Sequence, residues 1–410
     1  YAPAVVSGEA SIDVLVIGSG GAGMCAAISA RQADASTLIV TKSKLGASNT
    51  SRAQGGIQAA MGDDDTVESH FEDTLAAGHR DARPELVRTL TEAGPGAIAW
   101  LDELGVDFSR DAGELRILRC GGASRPRLLQ AGERTGAEMV QALRKGVQAS
   151  GAEVWESSAL QSLEPTANGW RATIATRGAD PRFVRAGAVV LAAGGGLRGE
   201  ADALGVGSTN HPDATPEVLR LAADLGAELT DLDSWQRHPT GSVWPEPLAG
   251  YALPETTRSY GATLHDANGD RFVDELAPRD VVAQGIIDAV EAGRGVEAPS
   301  GQQGVWLDTT AIDRTNGAGF TADRLTYVHR RYEKAGVDIT AERVLVYPVL
   351  HYRNGGLLID INASTSLPGI FAACEITGGV HGTNLLMGNS LLDTVVFGRI
   401  AGRSAAEASR

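Results

Sequence analysis

Residues 12–23, Ile12-Asp13-Val14-Leu15-Val16-Ile17-Gly18-Ser19-Gly20-Gly21-Ala22-Gly23, decide how this chain is read. The apolar run at 12–17 has the length and composition of a buried strand, and it ends abruptly in glycine. An alanine-rich stretch at 24–33 follows with helix-forming composition, and a second apolar run, Thr37-Leu38-Ile39-Val40, comes after it. Strand, glycine turn, helix and strand in that order predict a βαβ unit. Gly18, Gly20 and Gly23 form a GxGxxG at the strand-to-helix junction. In that place glycine allows the tight turn, lets backbone approach a pyrophosphate, and lets the helix pack on the strand, while the helix N-terminus faces the phosphate charge. An acidic residue at the end of the second strand would accept the ribose hydroxyls of NAD. Thr41-Lys42 stand there instead, which disfavours strict NAD binding.

Outward from this unit lie two further glycine clusters. One is Ala53-Gln54-Gly55-Gly56-Ile57, preceded by small polar residues at 48–51; the other is NLLMGNSLL at 384–392, opening another helix. Three such clusters spread along the chain point to one large, extended ligand. Residues 84–106 and 133–150 read as helical, residues 187–192 as a buried strand ending in glycines, and residues 390–406 as an amphipathic helix. Near 234 the composition changes, with more Pro, Trp and charge and two helical stretches at 279–293 and 321–336; apolar strands resume after about 345. The expected architecture is α/β: a split Rossmann-like ligand-binding domain at 10–233 and 346–410, with an inserted α+β capping domain at 234–345.

The 410 residues, 43% hydrophobic, suffice for two such bodies, and 51 glycines with 5% aromatics suit an α/β protein of many tight turns. A net charge of −15 argues against nucleic acid as a partner and for a soluble protein. No apolar run reaches the length of a membrane span. Cys25, Cys120 and Cys374 are far apart, so no iron–sulfur or structural zinc site is expected, and the thiols fit a reducing, cytoplasmic setting. The first ten residues show no signal-peptide pattern, and the start at Tyr1 leaves room for residues removed before it.

Taken together, VIGSGGAGMCAA, AQGGI, DTVESHFEDTL, VVLAAGG, HPTG, ELAPRDVVAQGI, HYRNGG and HGTNLLMGNSLLDTVVFGR make the chain resemble the succinate dehydrogenase/fumarate reductase flavoprotein family, which includes L-aspartate oxidases. The likeness covers nearly the whole chain, and ELAPRD and GNSLLD are specific to the family. It implies FAD. The cofactor-binding positions it implies, with the glycine motifs, are Gly18, Ser19, Gly20, Gly21, Ala22, Gly23, Lys42, Asn49, Thr50, Ser51, Gln54, Gly55, Gly56, Leu160, Glu217, Glu375, Asn389, Ser390 and Leu391. Glu217 stands where relatives usually carry aspartate.

The resemblance also implies the chemistry: hydride exchange between flavin N5 and one carbon of a C–C or C=C bond, with the proton at the other carbon moved by the arginine of ELAPRD, here Arg279. His238 of HPTG and His351 of HYRNGG match the substrate-binding histidines, and His381 a position beside the flavin. The pocket departs from the pattern. Leu385 replaces an arginine found in relatives acting on C4 dicarboxylates, Pro254-Glu255 replaces Thr-Glu, and Arg258-Ser259-Tyr260-Gly261-Ala262 replaces RGEGG. Glu255, Arg258 and Leu385 are therefore the candidate substrate-pocket residues. Cys120 stands where aspartate oxidases carry a glutamate, and Arg125, Arg127, Arg237 and Arg353 are candidate replacement cations, with surface positions the expected alternative for each. The expected partners are a small-molecule substrate other than plain fumarate or succinate and an electron donor or acceptor outside the chain; no metal is expected. An amino-acid oxidase and a flavin-binding protein without catalysis remain as alternatives. The given chain ends soon after the last flavin-domain helix, where soluble fumarate reductases of the flavocytochrome type also end, and it holds no CxxCH haem motif.

In succinate dehydrogenases a histidine of the RSHT segment is bonded covalently to FAD. Asn49 occupies that position and cannot form the bond, so the flavin is expected to be non-covalent. All flavin fluorescence should separate from the polypeptide on an SDS gel; fluorescence that migrates with the band would contradict this.

Overall fold

The computed structural model describes residues 10–410; the signal-peptide reading of the first residues falls mostly outside the described residues. Strand Ala10–Ile17 runs parallel between Thr37–Val40 and Arg182–Leu191, with Glu153–Trp155 beyond Thr37–Val40 and Ile370–Ala372 beside Arg182–Leu191, all parallel. The antiparallel pair Ser158–Thr166 and Gly169–Thr176 completes a seven-stranded sheet. Val14, Leu15 and Val16 are wholly buried, because helices and loops cover both faces; this is why the strand reads as an unbroken apolar run.

Helices Gly21–Gln32 and Asn389–Ala408 pack against each other under this sheet. Their approach is close enough that a Cβ on Gly402 would fall 2.1 Å from the backbone oxygen of Ala26, and one on Gly398 2.8 Å from that of Ala22. Leu391, Leu392, Val395 and Phe397 from the late helix share a core with Val14, Ile39 and Val190, so residues far apart in sequence close one body.

A second core lies among residues 248–346 and includes Leu253, Leu264, Val282, Ile286, Leu307, Val328 and Tyr332. It sits on a five-stranded sheet of Trp235–Trp244, Val344–Arg353, Gln303–Asp308, Thr263–His265 and Val296–Glu297. Strand Val344–Arg353 crosses residue 345, the boundary expected from composition. Helix Arg279–Ala289 packs on the sheet and ends in a π-turn, Val290–Arg294, with Gly293 at φ 74°.

Two other helical stretches are interrupted. Residues 84–106 form Pro84–Glu92 and Gly94–Glu103, divided beside Pro95, which lacks the N–H needed to continue the first helix. Residues 321–336 form Phe320–Arg324 and Thr326–Glu333, divided at Leu325. No helix among the described residues is long and apolar enough to cross a membrane.

The glycine contact between the two long helices gives a direct test. Gly402→Ala forces a methyl against backbone that cannot retreat, and overpacking of this kind costs about 1–3 kcal/mol. The variant should unfold at clearly lower urea concentration; an unchanged midpoint would show that the helices do not meet there.

Candidate functional site

A cleft of about 830 Å³ runs between the two bodies. Its first wall is the strand-to-helix loop. Gly18 has φ 107°, and a Cβ there would lie 2.3 Å from the backbone oxygen of Ala192; one on Gly23 would lie 2.0 Å from that of Gly18. These two glycines therefore make the turn and the packing. Gly20 has no atom outside its immediate neighbours within 3.4 Å of such a Cβ and leaves its side of the cleft open. Beneath it the helix Gly21–Gln32 gets no cap from its own N-cap residue, Gly20, although its Gly21 N–H donates to Thr50 Oγ1 at 3.2 Å, and helix Asn389–Ala408 starts uncapped at Gly388 with φ 88°. Two long helices thus direct unsatisfied N–H groups and positive dipole ends to the same space, an arrangement suited to an anionic ligand.

Most of the proposed cofactor positions line this cleft: Gly18, Ser19, Gly20, Gly21, Ala22, Lys42, Asn49, Thr50, Gln54, Gly55, Gly56, Leu160, Glu217, Glu375, Ser390 and Leu391. Lys42 Nζ donates to Glu217 Oε2 at 2.9 Å and also to Thr215. Asn49 donates to Asn210 Oδ1 at 2.8 Å and Glu375 Oε2 at 3.0 Å and accepts from the His211 backbone N–H at 2.6 Å. Burial pushes the Glu375 carboxyl above its ordinary range, although the Arg353 N–H and the Asn49 amide oppose the shift.

Three proposed positions face elsewhere. Gly23 is enclosed beneath the loop. The Ser51 hydroxyl donates to the Ser48 carbonyl at 2.7 Å. Asn389 is fully buried, with its amide between His70 Nε2 at 2.8 Å and Thr74 Oγ1 at 2.9 Å, and it anchors the helix start from behind.

At the other end of the cleft stand Arg279, Glu255, His238 and His351. Arg279 opens a helix after Pro278. Its Nε donates to Glu255 Oε2 at 2.8 Å and its Nη1 to Gln236 Oε1 at 3.0 Å. Gln236 is held in turn by donating to Asn384 Oδ1 and to the Leu385 carbonyl, each at 2.7 Å. Glu255 is sealed from water. Burial alone would raise its pKa, but Arg279, Arg258 and the Gly121 N–H at 2.9 Å overcome it and hold the carboxyl below its ordinary value. Arg258 lies behind Glu255, outside the cleft wall, 3.4 Å from its carboxylate and donating to the Glu275 carbonyl.

The two histidines come from adjacent strands. Gln236 pairs with Tyr352 and Arg237 with Leu350, so His351 is the extra residue of a bulge. The rings meet edge to face, with centroids 5.3 Å apart. The Thr240 backbone N–H donates to His238 Nδ1 at 3.3 Å, which leaves the hydrogen of a neutral ring on Nε2. His351 Nδ1 is 2.8 Å from the Thr209 hydroxyl. Burial, then the positive charge of Arg279, hold both imidazoles neutral. His238 lies well below its ordinary value and His351 falls to about 3.

None of the candidate replacement cations lines the cleft. Arg125 and Arg237 are exposed. Arg127 corrects the expectation of a surface position: it is wholly buried and bonded to Asp65 and Asp73. Arg353 is also buried; its guanidinium reaches the carbonyls of Gly195 at 2.9 Å and Leu232 at 2.7 Å and pairs with Glu200, so it turns from His351 where the bulge breaks strand alternation. Leu385 is buried and outside the cleft wall. His381 pairs with Asp393 at 3.0 Å in the interior. Cys120 is buried and accepts from Gln58 Nε2 at 3.2 Å. Sequence reasoning missed Gln236, although it sits two residues before His238 on a strand and so shares its face. It also missed Arg52, Tyr251 and Arg331 in the cleft wall; nothing in their local sequence marks them.

Comparison with known proteins gives consistent results. Residues 13–391 match the family described as FAD binding domain. The chain is 36% identical over 408 residues to one subunit of the fumarate reductase (CoM/CoB) of Methanothermobacter marburgensis, covering 96% of this chain and 72% of that protein. It is 36% identical over 412 residues to the L-aspartate oxidase of Streptomyces coelicolor, covering 96% and 68%. Among solved structures, a quinol–fumarate reductase with menaquinol molecules superposes with a TM-score of 0.90 at 30% identity, covering 98% of this chain and 72% of that one.

The neutral histidines set a pH dependence. An unfolded histidine takes a proton near 6.5, whereas folded His351 resists it down to about 3. Between those values the unfolded chain binds more protons, so stability falls as pH drops from about 6.5 towards about 3. His351→Gln should flatten that fall in urea titrations across the range; an identical pH profile in the variant would contradict the assignment.

Proposed function

This chain belongs to the FAD-binding flavoprotein family that includes fumarate reductase flavoproteins and L-aspartate oxidases, and from that premise we propose that it is an oxidoreductase acting on a C–C or C=C bond next to a carboxylate or carbonyl. FAD is its cofactor. The cleft fits that group: Gly20 leaves its side open, two helix starts face in, and Lys42 and Glu217 sit at the edge. In this reading the first body is the split Rossmann-like FAD-binding domain and the second an inserted capping domain. The Gly18–Ala22 loop would hold the pyrophosphate, Ser390 and Leu391 would hold the ring system, and Asn49 offers no atom for a covalent bond to the flavin. When bound, FAD supplies hydride exchange at N5.

The observation that carries the reading is the Arg279 guanidinium, clamped by Glu255 and Gln236 in the cleft wall beside two neutral histidines. His238 Nε2–H and the neutral His351 ring donate hydrogen bonds to a carboxylate or carbonyl oxygen and orient the bond to be reduced. Arg279 moves the proton at the carbon away from the flavin. Glu255, whose carboxylate touches both Arg279 and Arg258, balances the charge of the guanidinium and holds it in the cleft wall. Gln236 fixes the direction of the guanidinium. The electron donor or acceptor lies outside this chain. Pro254 in the cleft wall offers no hydroxyl donor, and Leu385, buried outside that wall, offers no guanidinium, so the favoured substrate is something other than plain fumarate or succinate.

Arg279→Ala in the flavin-loaded protein should lower enoate reduction about 10²–10⁴-fold, the usual contribution of a positioned acid or base, with FAD content unchanged. Turnover that survives the substitution would remove the mechanism. Peroxide release with an amino acid and no enoate turnover would move the assignment to the oxidase branch of the family.

A further inference from the structure

A second group of cations lines the same cleft and takes no part in the chemistry above. Arg52 follows the Asn49–Ser51 turn, Arg134 precedes the helix Thr135–Ser150, and Arg331 lies in the helix Thr326–Glu333 of the other body. No carboxylate pairs with any of the three among the described residues. Arg52 spends one donor on the Asn210 carbonyl at 3.2 Å. Arg134 lies over the Tyr327 ring at 5.0 Å. Arg331 lies over the Tyr251 ring at 4.2 Å and donates through Nη1 to the Tyr327 hydroxyl at 3.0 Å, while its Nε is buried without a partner.

Asp202, Asp213, Glu217 and Glu375 line the same cleft, yet none of them pairs with these three guanidinium groups, whose charge is left open to an incoming anion. Burial, then repulsion from Arg198 and Arg331, already depress the Arg52 pKa. Such crowding is relieved when an anion enters. Planar forks from opposite walls suit a carboxylate or phosphate gripped from both sides. Arg52 and Arg134 are exposed and Arg331 is half-buried, but all three line the cleft and come from both bodies, so a small anion that enters it can meet them together.

We propose that Arg52, Arg134 and Arg331 form an anion subsite that holds a second carboxylate of the substrate, remote from the bond handled at Arg279. The substrate class is then an elongated unsaturated diacid. This deepens, and rests on, the enoate reading above, and it places in the cleft a cation of the kind that Leu385 lacks.

The test uses the FAD-loaded protein and reads binding by the change in flavin visible absorbance, without turnover. Saturated monoacids and diacids of increasing chain length are titrated against wild type, Arg331→Ala, Arg331→Lys and Arg52→Gln. Wild type should bind a diacid of suitable length about tenfold or more tighter than the matching monoacid, and rising salt should erase the difference. Arg331→Ala and Arg52→Gln should lose that preference while monoacid binding and FAD content stay unchanged; Arg331→Lys should recover part of it. Equal affinity for mono- and diacids at every length would overturn the proposal. So would a fall in FAD content in Arg331→Ala, which would assign the cluster to the cofactor. Competition by inorganic phosphate as strong as by any diacid would instead make the natural ligand a phosphate and overturn the diacid class. Loss of turnover in Arg279→Ala leaves these binding results untouched, so the two readings fail separately.

Discussion

The carboxylate of Glu255, shut away from water between Arg279 and Arg258, organises the reactive end of this molecule. A buried charge is tolerated only when its partners are in place, and removing one of them leaves an uncompensated ion. Here the partners come from three separate segments: the Gly121 N–H, the turn that carries Arg258, and the helix that begins at Arg279. Through Arg279 the network continues to Gln236 on the second sheet and from there to Asn384 and Leu385, which precede the last long helix of the first body. Asn384 also donates to Asp280, the residue after Arg279, at 3.0 Å. The two bodies are therefore joined by polar groups at the point where the chemistry is proposed, and the guanidinium has little freedom to turn from the cleft.

The opposite end of the cleft is governed by close backbone approach rather than by charge. The sheet, the loop at Gly18–Gly23 and the two long helices fit only because several positions lack a Cβ. That packing turns two helix starts to one space. The two bodies contribute differently: the first turns helix starts and their N–H groups to the cleft, and the second contributes Arg279, Glu255 and His238. Arg279, His238 and His351 all lie in segments of the second sheet or the helix packed on it.

Much of this was legible in the sequence because it depends on local backbone rules. The apolar run at 12–17, its glycines and the alanine-rich helix announce a strand, a turn and a helix start without any tertiary information. The family motifs located Arg279, His238 and His351, and the structure brings all three to one cleft. What stayed hidden depends on contacts between distant residues. The bulge at His351 is invisible to strand alternation, which puts Arg353 on the wrong side of its strand. Arg127 reads as a loop arginine, yet Asp65 and Asp73, far from it in sequence, draw it into the interior. Asn389 belongs to a cofactor-like motif, but its side chain turns back to His70 and Thr74 to secure the helix. Arg52 and Arg331 carry no motif, and only the meeting of the two bodies brings them to one cleft.

The central claim is that a reacting bond lies between the flavin and Arg279, oriented by the two histidines. A crystal structure of the FAD-loaded protein with a non-reacting saturated diacid tests it most directly. The account predicts one carboxylate within hydrogen-bond distance of His238 or His351, with the adjacent carbons between the flavin ring and the Arg279 guanidinium. A ligand seated away from Arg279, with both histidines untouched, would contradict it.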